Sequence, residues 1–331
     1  MNTTETHGQY QKVAALVREW IELHKGESFD LDMINRQLQI QERTNRKYVA
    51  VELSKLVGKE TLEKVTNPLH KPFYRYIDNT CKYIDWLNAP SSDVLNINWP
   101  YGIGDGSKFG FDGRVRIAPG DVIVVAGTSN MGKTAFCLNF LWENMDTYPC
   151  TLMGNEYTGG KFKRRVGRMT WKTPVDDAGK SKFELIERRE GWKDIIRKDN
   201  INIIDWINLS DKFYEIGKII EDIQARLHNG IVLISLQKDE HKTRGLGGGF
   251  SEHLSSLYLS VDYERLTIIK AKEWVEWNPN GKTYGFQIVD GGTKFHNIRQ
   301  IRKCRACWGS GRSKGGQCEP CGGVGYVDED N

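Results

Sequence analysis

The run from Ile117 to Phe140, IAPGDVIVVAGTSNMGKTAFCLNF, constrains this chain more than any other stretch. Val122 to Ala126 is unbroken apolar sequence and reads as a buried strand. Gly127-Thr-Ser-Asn130-Met131-Gly132-Lys133-Thr134 follows, and then an amphipathic helix that starts at Lys133 and has Ala135 in its first turn. Gly-x-x-x-x-Gly-Lys-Thr between a strand and a helix is the phosphate-binding P-loop. Its glycines let backbone N–H groups turn inward around an anion, and the helix N-terminus adds its positive dipole end. In that frame Lys133 reaches the β- and γ-phosphates of ATP, and the Thr134 hydroxyl holds Mg²⁺.

With 331 residues there is room for two domains and a small third. Hydrophobic residues make up 39% and charged residues 27%, a composition that suits a soluble globular protein. The opening MNTTETHGQY is polar, so no signal peptide is expected. Apolar runs are of strand length, too short for a membrane span. A net charge of +4 says little about partners, and local patches must carry that argument. Of seven cysteines, Cys81, Cys137 and Cys150 are scattered and four form two C-terminal pairs. That pattern fits a reducing cytoplasm and one metal site better than a disulfide framework.

Residues 1–88 read as a first domain. Val13, Leu16, Val17, Trp20, Ile21 and Leu23 recur at helical spacing between Lys12 and His24. A second helix is predicted over 31–40 and a third over 44–57, followed by strands over 61–65 and 73–77 around Asn67-Pro68 and Pro72. Three helices and a hairpin in this order resemble a winged helix, in which the third helix enters a major groove and the hairpin is the wing. Arg43, Arg46 and Lys47, with Tyr48 behind them, are then the candidate DNA contacts. A helical adaptor for a protein partner is the alternative. Residues 89–116 are dense in glycine and read as a connector or collar outside the core, with the domain boundary near Pro90.

Residues 117–298 form the next domain. Pro119-Gly120-Asp121 before the strand, and Asn130-Met131-Gly132-Lys133-Thr134-Ala135-Phe136 with Leu138-Asn139 after it, resemble the P-loop of RecA-fold ATPases, the DnaB-type replicative helicases above all. That resemblance implies a carboxylate after the next strand that orients the attacking water, and Glu156 stands there. It also implies a γ-phosphate-sensing polar residue at a later strand end, a position that Gln237 occupies. The apolar strand ending at Asp205 has the form of a Walker B carboxylate for Mg²⁺. Between Glu156 and Gln237 the sequence reads as one strand–helix unit fewer than the DnaB type. Basic residues Lys161, Lys163, Arg164, Arg165 and Arg168 are candidate phosphate or DNA contacts, as are Lys242 and Arg244 in the following charged loop. DnaB-type helicases carry Lys-x-Arg where this chain has Lys272-Glu-Trp274, so the arginine that reaches a neighbour's γ-phosphate is missing.

Residues 299–331 hold two copies of Cys-x-x-Cys-x-Gly-x-Gly, at Cys304 and Cys307 and at Cys318 and Cys321. Each copy resembles the zinc repeat of DnaJ-type chaperones. Four thiolates make a closed tetrahedral Zn²⁺ site, which is structural because no position remains for a catalytic water. A redox dithiol pair is the alternative. From Gly291 to Cys318 there are seven Lys or Arg and no acid, which favours nucleic acid as a partner.

The sequence thus predicts an α/β chain: a RecA-like P-loop ATPase core with a mainly parallel sheet, a winged-helix-like α+β domain before it and a small zinc knuckle after it. The expected activity is that of a DNA-associated ATPase, a helicase-like motor in replication or recombination, encoded by a phage or mobile element. The competing class is an ATP-switched loader or regulator that does not translocate. Single-stranded DNA, and duplex DNA through the first domain, are the expected partners. A homo-oligomer, a replication or recombination protein as a further partner, and a cytoplasmic setting without membrane complete the expectation.

Overall fold

In the computed structural model residues 3–66, 72–81, 83–88, 93–209, 213–313 and 315–329 are described. The chain divides into two units, Met1–Ala89 and Pro90–Asn331.

The first unit contains α1 (Thr3–Leu23), β1 (Ser28–Phe29), α2 (Leu31–Gln37), α3 (Arg43–Gly58), β2 (Leu62–Thr66) and β3 (Pro72–Tyr76). The strands form an antiparallel sheet in the order β1-β3-β2. Val13, Val17, Trp20 and Ile21 share one face of α1 and pack with Ile34, Val49 and Leu53 against Phe29, Leu62 and Tyr74. Asp30 caps α2, its Oδ1 accepting from the Met33 N–H at 2.7 Å. Strand β1 is not legible in the sequence, because two residues are too few to show alternation. The hairpin turn at 67–71 and the Pro90 boundary lie outside the described residues.

The second unit is built on β4 (Val122–Gly127), α4 (Lys133–Asn144), β5 (Cys150–Gly154), α5 (Gly159–Val166), β6 (Phe183–Glu187), β7 (Ile201–Ile207), α6 (Ile216–Gln224), β8 (Ile231–Gln237) and α7 (Gly249–His253). The strands β9 (Leu257–Asp262), β10 (Arg265–Ala271), β11 (Thr283–Val289) and β12 (Lys294–Lys303) follow, then β13 (Arg312–Ser313), β14 (Gly316–Gln317) and β15 (Tyr326–Asp328). Ten of these strands make one mixed sheet, in the order β15-β12-β11-β10-β9-β4-β8-β7-β5-β6. Strands β6 to β9 in that order run parallel, and β10, β11, β12 and β15 extend the sheet antiparallel. A large, mostly parallel sheet with helices on both faces resembles the RecA-like fold.

Two-sided burial explains the apolar run before the P-loop. Ile123 and Val125 pack in one cluster with Phe136 and Phe140 of α4. Val122, Val124 and Ala126 pack in the other, with Ile216, Ile220 and Ile223 of α6. Each such valine or isoleucine side chain, fully buried, contributes about 1.5–3 kcal/mol.

Three expectations need correction. Segment 93–116 is not a collar outside the core: Trp99, Phe109 and Phe111 are buried in the α4-side cluster. Phe109 stacks on Phe111, centroids 5.3 Å apart, and meets Tyr284 and Phe295 edge-on. The aromatic rings, not the glycines around them, decide where this stretch goes. Second, the 298/299 boundary falls inside β12, and β15 returns from the cysteine module to pair with it, Ile301 opposite Asp328. Third, a further strand lies between Glu156 and Gln237 that the sequence reading did not assign: β6 pairs parallel with β5 at the sheet edge. Its Phe-Glu-Leu-Ile-Glu pattern is half exposed, and a single helical turn, Trp192–Asp194, stands between it and β7. Among the described residues no helix is long and apolar enough to cross a membrane.

Candidate nucleotide site and cysteine centre

Sheet register gathers the strand ends. Gly127 on β4 lies beside Gln237 on β8, and Gly154 on β5 lies beside Asp205 on β7. The loop from Thr128 to Gly132 joins β4 to α4, with Gly132 at φ 106° as the residue before the helix. No side chain caps α4, so its first-turn N–H groups face the loop without a side-chain acceptor.

Lys133 is buried, its Nζ donating to the carbonyls of Gly127 at 2.9 Å and Thr128 at 2.7 Å and to Gln237 Oε1 at 3.4 Å. Burial pushes its pKa down, and the negative charge at Asp205 and Glu156 opposes this in part. A cavity of about 410 Å³ opens here, lined by Asn130, Met131, Gly132, Lys133, Thr134, Ala135, Glu156 and Gln237 among others. Gly127 lies behind the loop and contributes its carbonyl to Lys133.

A cavity of about 500 Å³ is lined by Thr134, Glu156, Tyr157, Arg165 and Asp205. Asp205 is inside β7 rather than at its end, and it is buried. Its Oδ2 accepts from the Tyr157 hydroxyl at 2.5 Å and its Oδ1 from Ser235 Oγ at 3.1 Å. Burial and the Asp205 charge hold the Tyr157 phenol well above its usual range. Glu156 is exposed two residues beyond β5, and the Trp206 indole N–H donates to its Oε1 at 3.1 Å. Lys133, Thr134, Glu156 and Gln237 therefore share one cavity, and Asp205 meets Thr134 in the other.

Sequence does not single out Tyr157, Ser235 or Trp206, and it offers Arg165 only as one of the five basic candidates from Lys161 to Arg168 for phosphate or DNA. Tyr157 and Trp206 are chain neighbours of Glu156 and Asp205, but adjacency alone does not say which side chain turns inward.

The other sequence candidates lie elsewhere. Arg43, Arg46 and Lys47 are exposed on the first turns of α3, and Arg46 donates to the Ile40 carbonyl at 3.1 Å. Tyr48 is half-buried, edge-on to Tyr10. Lys242 is paired with Asp239 at 2.6 Å and Arg244 with Glu252. Trp274 stands in an antiparallel bridge opposite Val115.

Cys304 and Cys318 have sulfurs 3.8 Å apart, and Cys307 and Cys321 3.7 Å apart. All four ligand atoms lie within 4.8 Å of one another, and all four residues are buried. Zinc–sulfur bonds of about 2.3 Å in a tetrahedron give sulfur–sulfur edges of about 3.8 Å, so the cluster fits Zn²⁺. A Cβ at Gly311, where φ is 72°, would sit 2.2 Å from the Gly323 carbonyl oxygen, so the two knuckles pack only with glycine there. The Gly325 N–H donates to Cys321 Sγ at 3.2 Å.

No family model matches this chain, and no curated protein matches it. Among the solved structures that are similar is the KaiC-like protein PH0186 from the hyperthermophilic archaea Pyrococcus horikoshii OT3, at 14% identity and a TM-score of 0.43, over 62% of this chain and 99% of that one. The functional reading rests on the geometry of the cavities.

Proposed function

We propose that this chain is a RecA-type ATPase that works on DNA. One observation carries the ATPase reading: Lys133, Thr134, Glu156 and Gln237, drawn from three strand ends, line a single cavity at the P-loop. The loop N–H groups and Lys133 bind the phosphates, and Gln237, within reach of Lys133, senses the terminal one. Glu156 orients a water and takes its proton as the water oxygen bonds to the γ-phosphorus. The bond from that phosphorus to the β–γ bridging oxygen breaks, leaving ADP and inorganic phosphate. Thr134 and Asp205 would hold Mg²⁺, which when bound neutralises charge on the β- and γ-phosphates. Cys304, Cys307, Cys318 and Cys321 would hold Zn²⁺ as a closed structural site.

The DNA reading is supported by the exposed Arg43, Arg46 and Lys47 on α3 and by the winged-helix-like order of the first unit. The run of seven basic and no acidic residues from Gly291 to Cys318 supports it further. On this reading the protein is a cytoplasmic homo-oligomer in DNA replication or recombination, of phage or mobile-element type, and acts beside another protein of that process. A second reading, an ATP-switched loader or regulator that does not translocate, is favoured by Trp274 at the place of the finger arginine. The internal ion pairs of Lys242 and Arg244 favour it too. ATP hydrolysis measured with and without single-stranded DNA, followed by strand displacement on a forked duplex, separates them. Stimulation with unwinding supports the motor. Hydrolysis stimulated by DNA without unwinding supports the loader, and hydrolysis indifferent to DNA overturns the DNA reading.

A further inference from the structure

The P-loop cavity and the Asp205 cavity share three lining side chains: Thr134, Glu156 and Arg165. On the ATPase reading, the first of these holds the metal and the second orients the water, so the junction where all three meet is where the γ-phosphate stands. We infer that Arg165 binds that γ-phosphate in its own chain, and so supplies in cis the cation that Lys272-Glu-Trp274 does not supply to a neighbour. The inference rests on the ATPase reading and deepens it.

Helix geometry holds Arg165 at this place. Phe162 is the buried residue of α5, edge-on to Tyr157 at 5.3 Å and to Phe183 at 5.9 Å between ring centroids. Arg165 follows it by three residues and therefore lies on the same face, one turn further along. Lys163 and Arg164 lie off that face and line neither cavity. Arg168 donates to the Gly291 carbonyl at 3.4 Å. Arg165 is thus the arginine of this basic helix that lines both cavities.

Its guanidinium is also uncommitted. Among the described residues no hydrogen bond or ion pair holds it. Of the carboxylates that line the cavities, Asp205 takes Tyr157 and Ser235 and Glu156 takes Trp206, while Glu187 and Glu264 line one cavity each and neither is bonded to Arg165. A planar guanidinium can hold two phosphate oxygens in one fixed bidentate fork, a geometry that an ammonium lacks. During hydrolysis negative charge spreads over the three γ-oxygens, and a fixed cation there is worth about 10³–10⁵ in rate where such arginines act. The alternative is a solvated surface arginine with no part in turnover.

The test uses the full chain with Arg165→Ala and Arg165→Lys. Single-turnover hydrolysis of ATP is measured beside the affinities for ADP and for a non-hydrolysable ATP analogue. Arg165→Ala should hydrolyse at least about 100-fold more slowly. It should hold ADP within about threefold of wild type and the analogue about tenfold more weakly, with Arg165→Lys between. Mixing Arg165→Ala with Lys133→Ala should leave hydrolysis lost, because each chain would lack a group for its own nucleotide. Recovery in the mixture overturns action in cis. If wild type hydrolyses ATP and Arg165→Ala keeps its rate, this inference falls and the ATPase reading stands. Wild-type chain that neither binds ADP nor hydrolyses ATP overturns both.

Discussion

The nucleotide cavity and the cysteine cluster are assembled in opposite ways. In the cysteine cluster each bridging sulfur pair is 14 residues apart, and the residues between are mostly turns. In the nucleotide cavity Lys133 and Gln237 are 104 residues apart, and the sheet register brings them within 3.4 Å. One site is local and has almost no apolar core; the four cysteines themselves are its buried residues, with Val327 beside them. The other stands on strands buried on both faces. On the zinc reading, such a local site would take its stability from the metal, whereas the other cavity stands on a sheet that is packed on both faces without a ligand.

The sharpest way to break this contrast is to remove the metal. Cys304→Ser should lower zinc from about one per chain to near zero and melt the knuckles, because on the order of 10 kcal/mol of folding free energy goes with the ion. Amide exchange should rise sharply over 304–325 while ADP affinity stays within about twofold. A matching loss of ADP affinity would mean that the two sites are not independent, with β12 and β15 as the link.

The reverse change tests the other side. Lys133→Ala removes the buried ammonium from the P-loop and should abolish hydrolysis to below about one thousandth of the wild-type rate. Thermal unfolding should stay cooperative and the zinc content unchanged. Retained hydrolysis would remove the P-loop from the mechanism.

Smaller effects are expected from the residues that hold the carboxylates. Tyr157→Phe takes one donor from a buried charge and should lower stability by about 1–3 kcal/mol in a denaturant titration. Burial and Asp205 raise the Tyr157 phenol well above its usual range, so it stays protonated through the alkaline range in which a free phenol ionises. Wild type and Tyr157→Phe should then share the same alkaline limb of the rate profile. A limb present in wild type alone would place the ionising group on Tyr157. Trp206→Phe removes the indole donor from exposed Glu156 and should slow hydrolysis by up to about tenfold with ADP affinity unchanged. An unchanged rate would show that Glu156 needs no such support.

How much could be read without the structure differs by residue. Lys133 and Thr134 are legible because the P-loop is one continuous segment whose chemistry depends on local backbone geometry. Glu156, Asp205 and Gln237 are legible as polar residues in or just beyond apolar strands, although Asp205 proves to be inside its strand. The cysteines are legible because paired thiols at this spacing have few other uses. Segment 93–116 reads as a connector from its glycine density, but Trp99 is buried against α4 and Phe109 and Phe111 against β11 and β12, contacts that only the folded chain provides.

The sequence by itself determined the phosphate loop, the four-sulfur set and the presence of apolar strands, since each depends on neighbours within about twenty residues. Only the tertiary structure decided that β6 takes the sheet edge, that β12 runs on into the cysteine module, and that Trp206, Tyr157 and Arg165 turn toward the cavities. The reason is physical: strand order and register are set by long-range packing, and side chains from separate strands and helices meet only after that packing is complete.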